Sequence, residues 1–263
     1  MSQDRKTVKK TADAPPLTAR SVLLSTLLGT TPPVLPARVL VRAGELFGIS
    51  EGSVRTALSR MAAGGEVRPE DGSYRLAGRL LERQARQQAS RAARTTAWRP
   101  AANRWRFAFV VGDRRTAADR ADLRAVMRAV RMAELREGVW LRPDNLAWTP
   151  PPAVAAQCLT AVGRPDTDPT DLARLLWDLD GWADDAAELR KELAASSGAV
   201  KAGDAAALAP GFVLSAAVLR HFQADPLLPA ALLPPGWPGD RLRAEYADWD
   251  RAYRALLRIW LQA

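Results

Sequence analysis

The chain holds a single cysteine, Cys158, and a single histidine, His221, among 263 residues. One thiol cannot close an internal disulfide, and it cannot build a zinc site of the multi-cysteine kind. Serine–histidine–aspartate or cysteine–histidine catalysis would have to run through the one imidazole. Long hydrophobic runs are scarce too. The longest uncharged apolar run, near residues 22–28, is far short of the ~18–20 residues that span a bilayer. The first residues are charged (Asp4, Arg5, Lys6, Lys9, Lys10) and lead to Pro15 and Pro16. They do not read as a signal peptide, which needs an apolar centre and a cleavage site. No Gly-x-Gly-x-x-Gly follows a strand-like run, and no Gly-Lys-Ser/Thr loop is present. The expectation is a cytoplasmic chain that does not enter a membrane, holds no resident cofactor or metal, and is not an enzyme.

What is present is positive charge, unevenly placed. The apolar share of 48% and the charged share of 25% are those of an ordinary globular protein. The length suits one large domain or two to three small ones. Residues 1–100 carry 17 Lys and Arg against 8 Asp and Glu, while residues 101–263 carry 21 of each. The whole surplus of +9 therefore sits in the first hundred residues. Such asymmetry points to nucleic acid or another anionic surface as partner.

The same hundred residues have a pattern that fits this charge. Residues 1–16 read as a disordered tail. Thr18 can cap a helix over 19–28, and Gly29 ends it. Pro36 can open a second helix over 36–47, with Val39, Leu40, Ala43, Leu46 and Phe47 on one face. Gly48-Ile49-Ser50 turns the chain, and Ser50 caps a third helix over 51–63. Its apolar stripe is Val54, Ala57, Leu58 and Met61. Off that stripe lie Ser53, Arg55, Thr56, Ser59 and Arg60, the side chains that reach phosphates and base edges. Two short runs around Asp71-Gly72 predict a hairpin, a wing carrying Arg68 and Arg75. Helix, glycine turn, capped helix and hairpin together predict a winged helix-turn-helix over 17–76. Residues 77–100 read as a basic linker helix with Arg79, Arg83 and Arg86, either solvated or touching phosphate.

From residue 101 the pattern changes. A strand at 104–111, a helix at 116–131, a strand over 133–141 interrupted at Gly138 and another at 157–162 suggest a small ferredoxin-like unit over 101–165. Residues 166–263 read as helices at 183–195, 205–222, 226–233 and 240–261, with a loop at 196–203. The fold class expected is α+β, mostly helical. Nine tryptophans are present, several beside arginine. Trp105 with Arg106, and Trp140 with Arg142, are either core anchors or a surface that stacks a planar ligand and holds its phosphates. Asp113, after the first central strand, is the one carboxylate placed for a metal-dependent nuclease, the alternative to a DNA-binding regulator. A winged helix that binds protein as an adaptor is a third possibility.

The residues that carry a family likeness follow from these landmarks. Leu46-Phe47-Gly48-Ile49-Ser50 and Val54-Arg55-Thr56-Ala57-Leu58-Ser59-Arg60-Met61 resemble the helix-turn-helix of PaaX-type transcriptional regulators. Gly138-Val139-Trp140-Leu141-x-Pro143 is similar to that family's central run. Trp177-Asp178-Leu179, Asp225-Pro226-Leu227-Leu228-Pro229, Leu232-Leu233-Pro234 and Trp237-Pro238-Gly239 resemble its C-terminal signature. The resemblance implies a winged helix, a central ferredoxin-like domain and a helical C-terminal domain for dimerisation and effector binding. It also implies a homodimeric repressor that binds an operator in double-stranded DNA. Such a repressor controls an aromatic-acid (phenylacetate-type) catabolic operon and is released by a small-molecule effector, an aryl-acyl-CoA such as phenylacetyl-CoA. The chain departs from the family at Val111-Gly112-Asp113-Arg114, where a Pro-Glu pair is usual, and at Arg131-Met132-Ala133-Glu134, where Gly-Phe-Gly is usual.

Overall fold

The computed structural model describes residues 17–92, 95–111 and 116–262. The tail expected over 1–16 lies outside the described residues. Two compact units emerge, and they do not follow chain order. One contains the chain up to Gln88 with Ala187–Arg220 and the segment from Arg241 onward. The other contains Ala89–Ala186 and His221–Asp240.

The first unit opens with α1 (Ala19–Leu28), capped by Thr18, whose hydroxyl accepts from the Ser21 N–H at 3.2 Å. Val22, Leu23, Leu24, Leu27 and Leu28 are all buried, so α1 is apolar almost all round and runs through the core. Strand β1 (Val34–Pro36), helix α2 (Ala37–Glu45) and helix α3 (Glu51–Ala63) follow, then β2 (Val67–Glu70) and β3 (Ser73–Leu76). The strands form an antiparallel sheet in the order β1-β3-β2. This is the element order and pairing of a winged helix. Leu40 from α2, Val54, Leu58 and Met61 from α3, and Val67 and Leu76 from the hairpin close one hydrophobic core on α1. Asp71 and Gly72 both take positive φ (43° and 75°), the backbone of a two-residue hairpin turn whose twist matches the strands. One expectation is corrected here. Pro36 does not open the second helix; it ends β1, a strand too short for alternation to reveal, and α2 begins at Ala37.

Helices α2 and α3 touch at Gly44. A Cβ there would lie 2.6 Å from the Cγ2 of Val54, a methyl on a stiff, β-branched side chain. The Gly44→Ala variant is expected to lose ~1–3 kcal/mol from overpacking, read as a lower urea midpoint with unchanged slope. A midpoint equal to wild type would show that the two helices are not in this close register.

Helix α4 (Arg79–Ala92) is shorter than the 77–100 expected and docks through polar groups. The buried Gln84 side chain donates to the carbonyls of Leu28 (3.2 Å) and Thr30 (2.8 Å), satisfying acceptors that the end of α1 leaves open. Further along, α8 (Leu179–Lys201), α9 (Leu208–Ala224) and α10 (Gly239–Gln262) each contribute to both units. The loop expected at 196–203 is wrong over most of its length, because α8 continues to Lys201. Ser196 there accepts from the Trp249 indole at 2.9 Å. In this unit Trp249 stacks on Tyr253 (4.9 Å), the Tyr253 hydroxyl donates to the Leu208 carbonyl (2.8 Å), and Arg190 holds Glu245 through two bonds of 2.7 and 2.8 Å. The stretch Ala205–Ala224 is long and apolar enough to cross a membrane by length and composition. Half of it is buried inside the protein, with Leu208, Leu214 and Val218 among the interior residues, as in a core helix.

The second unit is built on β4 (Trp105–Val110), α5 (Ala117–Ala129), β5 (Ala133–Arg136), β6 (Val139–Pro143), α6 (Pro152–Gln157), β7 (Cys158–Gly163) and α7 (Pro169–Leu176). The strand order β5-β6-β4-β7, antiparallel throughout, is that of a ferredoxin-like sheet. The single strand expected over 133–141 is a hairpin instead, since Gly138 takes φ +79° and turns the chain between β5 and β6. Pro152 starts α6, at the first helical position where its missing N–H is not needed. The helix expected over 226–233 is only a short 3-10 turn at Ala230–Leu232. Ala108 and Trp140 pack against Leu123 and Met127 of α5 on one sheet face. Trp105 and Leu141 pack against Leu172 of α7 and against Leu228 and Leu232 on the other.

Candidate nucleic-acid interface

Helix α3 is a two-sided object. Val54, Leu58 and Met61 are buried, while Ser53, Arg55, Thr56, Ser59 and Arg60 are all exposed. Ser53, Thr56 and Arg60 follow one another at three- and four-residue steps, and Arg55 and Ser59 run beside them, so all five share one outward face. The helix starts where Ser50 accepts from the Ser53 N–H at 3.3 Å. Arg55 is folded back on Glu51, with its Nε 2.8 Å from the carboxylate. Exposed pairs of this spacing are worth only ~0.3–0.5 kcal/mol, so a phosphate or a base can draw the guanidinium away. Arg60 has no ion pair or hydrogen bond among the described residues.

The wing continues this basic surface. Arg68 and Arg75 face each other across β2 and β3. Arg75 is neutralised by Glu70 at 2.8 Å, while Arg68 is exposed. Arg79 is exposed at the start of α4. Arg38, which the sequence reading did not select, is exposed in the first turn of α2, where the Ala37 N–H donates to the Gly72 carbonyl in the wing turn at 3.0 Å. Its signal in the sequence is an arginine two residues after Pro36, in the first turn of the helix that follows. At the base of the wing, Arg20 grips Glu66 (Nε to Oε2 2.9 Å) and holds that carboxyl below its ordinary range, with partial burial acting the other way. This pairing neutralises Arg20.

The candidate effector residues lie in the second unit and separate by strand face. Arg106 stands opposite Arg142, and Trp140 opposite Ala108, so these side chains share one face of the sheet. Trp105 points to the other face, is fully buried, and donates to the Asn103 side chain at 2.8 Å. Trp140 is buried against α5. Arg106 is bound to Asp144 at 2.7 Å, and its guanidinium lies 5.1 Å from the centre of the Trp148 ring. Arg142 is buried, and its nitrogens donate to the carbonyls of Pro143 (3.0 Å), Val130 (3.4 Å), Arg131 (3.2 Å) and Leu227 (3.4 Å) and to the Asn145 side chain (2.8 Å). Burial, with Arg131 repelling, pushes its pKa down to about 9, against the pull of Asp144. It remains charged at neutral pH. Asp113 lies outside the described residues. Among those described, no cluster of three or more metal-ligating side chains occurs.

Comparison with known proteins bears on both ends of the chain. Residues 18–80 match the family model of the PaaX-like protein, and residues 177–262 match that of the PaaX-like protein C-terminal domain. Among solved structures, the uncharacterized protein Rv0674 from Mycobacterium tuberculosis is 41% identical, with a TM-score of 0.69 over 92% of this chain and 98% of that one. Comparison with curated proteins gives no match. The first matched segment contains α1 through the wing and the exposed face of α3, and the second contains the C-terminal signature, so the chain belongs to the PaaX-like family of transcriptional regulators.

Proposed function

We propose that this chain is a ligand-responsive, DNA-binding repressor that acts as a homodimer in the cytoplasm. The observation that carries the reading is the outward face of α3, where short hydroxyls and two arginines stand free of the core beside a basic wing. Ser53, Arg55, Thr56, Ser59 and Arg60 read base edges in the major groove. Arg38, Arg68 and Arg79 hold the flanking phosphates, and Arg75 joins them when a phosphate draws it from Glu70. Family membership supports an aromatic-acid operon as the target and an aryl-acyl-CoA, phenylacetyl-CoA first, as the releasing ligand. The ligand engages the second unit around Arg106 and Trp148, where a guanidinium and an indole stand together near the surface. The buried Trp105, Trp140 and Arg142 shape the strands beneath it. Release requires that the thioester bind the DNA-free dimer better than the DNA-bound one.

The test has two arms. The intact protein is used to enrich duplexes from a randomised library, and fluorescence anisotropy then follows binding to the enriched duplex. Phenylacetyl-CoA is titrated into the complex. Enrichment of a two-fold-symmetric site, and its release by the thioester, are the expected results. Failure to enrich any sequence defeats the regulator reading. Enrichment without release by phenylacetyl-CoA or other aryl-acyl thioesters defeats the effector alone.

A further inference from the structure

Three contacts join the C-terminal helices to the helix-turn-helix inside the first unit. The Arg254 guanidinium of α10, fixed by Asp250 at 2.7 Å, donates to the Gly29 carbonyl at the end of α1 at 2.6 Å. The Arg42 guanidinium of α2 lies over the Trp260 ring of α10, 4.7 Å from its centre. Phe47, in the turn between α2 and α3, packs edge-on against Phe212 of α9 at 5.1 Å. The C-terminal helices thus touch the end of α1, the body of α2 and the turn that aims α3. None of these side chains belongs to the exposed face of α3.

The Arg42 contact is the informative one. Its Nε is buried with no hydrogen-bond acceptor among the described residues. A buried N–H without an acceptor carries a desolvation cost, and the aromatic face of Trp260 is what offsets it. The arginine is therefore held where it is by α10. Any shift of α2 is passed to α3, because at Gly44 and Val54 the two helices approach too closely for even a methyl group.

We propose that Trp260 and Arg254 are positioning residues for sequence reading, so that α10 acts as an outer splint on the DNA-reading pair of helices. The C-terminal helices then serve the DNA end of the molecule directly, in addition to any part in assembly or ligand binding. This rests on the DNA-binding reading above. Aromatic–cation contacts of this kind set the scale of the effect.

The experiment uses full-length variants, the duplex enriched by the wild-type chain, and an unselected duplex of equal length. Trp260→Ala is expected to weaken binding to the enriched duplex about tenfold, the scale of one such contact. Binding to the unselected duplex falls much less, and its salt slope drops by at most the one contact of Arg38 on α2, because Arg68, Arg75 and Arg79 lie outside α2 and are untouched. Trp260→Phe restores most of the loss, since it keeps an aromatic face under Arg42. Arg254→Gln, which acts on α1 instead of α2, moves affinity in the same direction and keeps the test alive should Trp260→Ala fold poorly. Wild-type affinity in both Trp260→Ala and Arg254→Gln overturns the proposal, and so does an equal loss on both duplexes. A wild-type chain that enriches no duplex overturns the DNA-binding reading first, and this one with it.

Discussion

Replacing Arg142 with alanine is expected to cost about 4 kcal/mol or more of folding stability, enough to unfold a marginal domain. The side chain is buried with no carboxylate in contact among the described residues, an arrangement that looks costly. Its compensation comes from backbone dipoles. Val130 caps the end of α5, so its carbonyl lies at the negative end of that helix, where a cation is favoured, and Arg131 follows in left-handed backbone and offers a second carbonyl. Pro143, Asn145 and Leu227 supply the remaining acceptors. Removal strands several buried acceptors at once and opens a cavity. Lysine keeps the charge but presents a single nitrogen in place of a planar fork, and Arg142→Lys is expected to lose about half as much, ~2 kcal/mol. Urea denaturation followed by circular dichroism measures both. A loss below ~1 kcal/mol for Arg142→Ala would contradict this cage of acceptors.

The same cage shows what the sequence could and could not reveal. Trp140 and Arg142 are two residues apart on a strand, and alternation alone puts them on one face, as found. That Arg142 faces a helix end and the Leu227 loop instead of solvent depends on contacts 11 to 85 residues away, which no local pattern encodes. The N-terminal helices were legible for the opposite reason. Their caps, Thr18 and Ser50, and their glycine turn are local chemistry, and the hairpin is announced by Asp71-Gly72. Gly138 was legible as an interruption in a strand but not as a hairpin turn, because strand-like residues lie on both sides of one glycine. The docking of α4 was hidden because buried Gln84 looks like a solvated position until α1 is seen to need its amide. The C-terminal helices were legible as helices, but not as parts of the body that contains the wing. That depends on Trp260, Phe212 and Arg254 meeting partners some 165 to 225 residues earlier in the chain.

The second large effect concerns reading itself. The double variant Arg55→Ala/Arg60→Ala is expected to weaken binding to the enriched duplex by about 2–6 kcal/mol, or roughly thirtyfold at the least, since a good arginine contact to a base is worth ~1–3 kcal/mol. The two positions are five residues apart on α3 and share no partner, so their effects should nearly add. They should not be equal. Arg55 must first leave Glu51, an exposed pair that returns a few tenths of a kcal/mol, whereas Arg60 enters with no partner to give up. Arg60→Ala alone should therefore cost more than Arg55→Ala alone. Arg68→Gln is the contrast, because a wing arginine on phosphate carries no sequence information. It should weaken enriched and unselected duplexes alike and reduce the log–log salt slope by about 1. Anisotropy titrations on both duplexes across a salt series separate the two behaviours. If the double variant keeps wild-type affinity, α3 is not the reading helix. If it loses affinity equally on both duplexes, α3 lies along the phosphates, and sequence is read by another face of the wing or by the shape of the duplex.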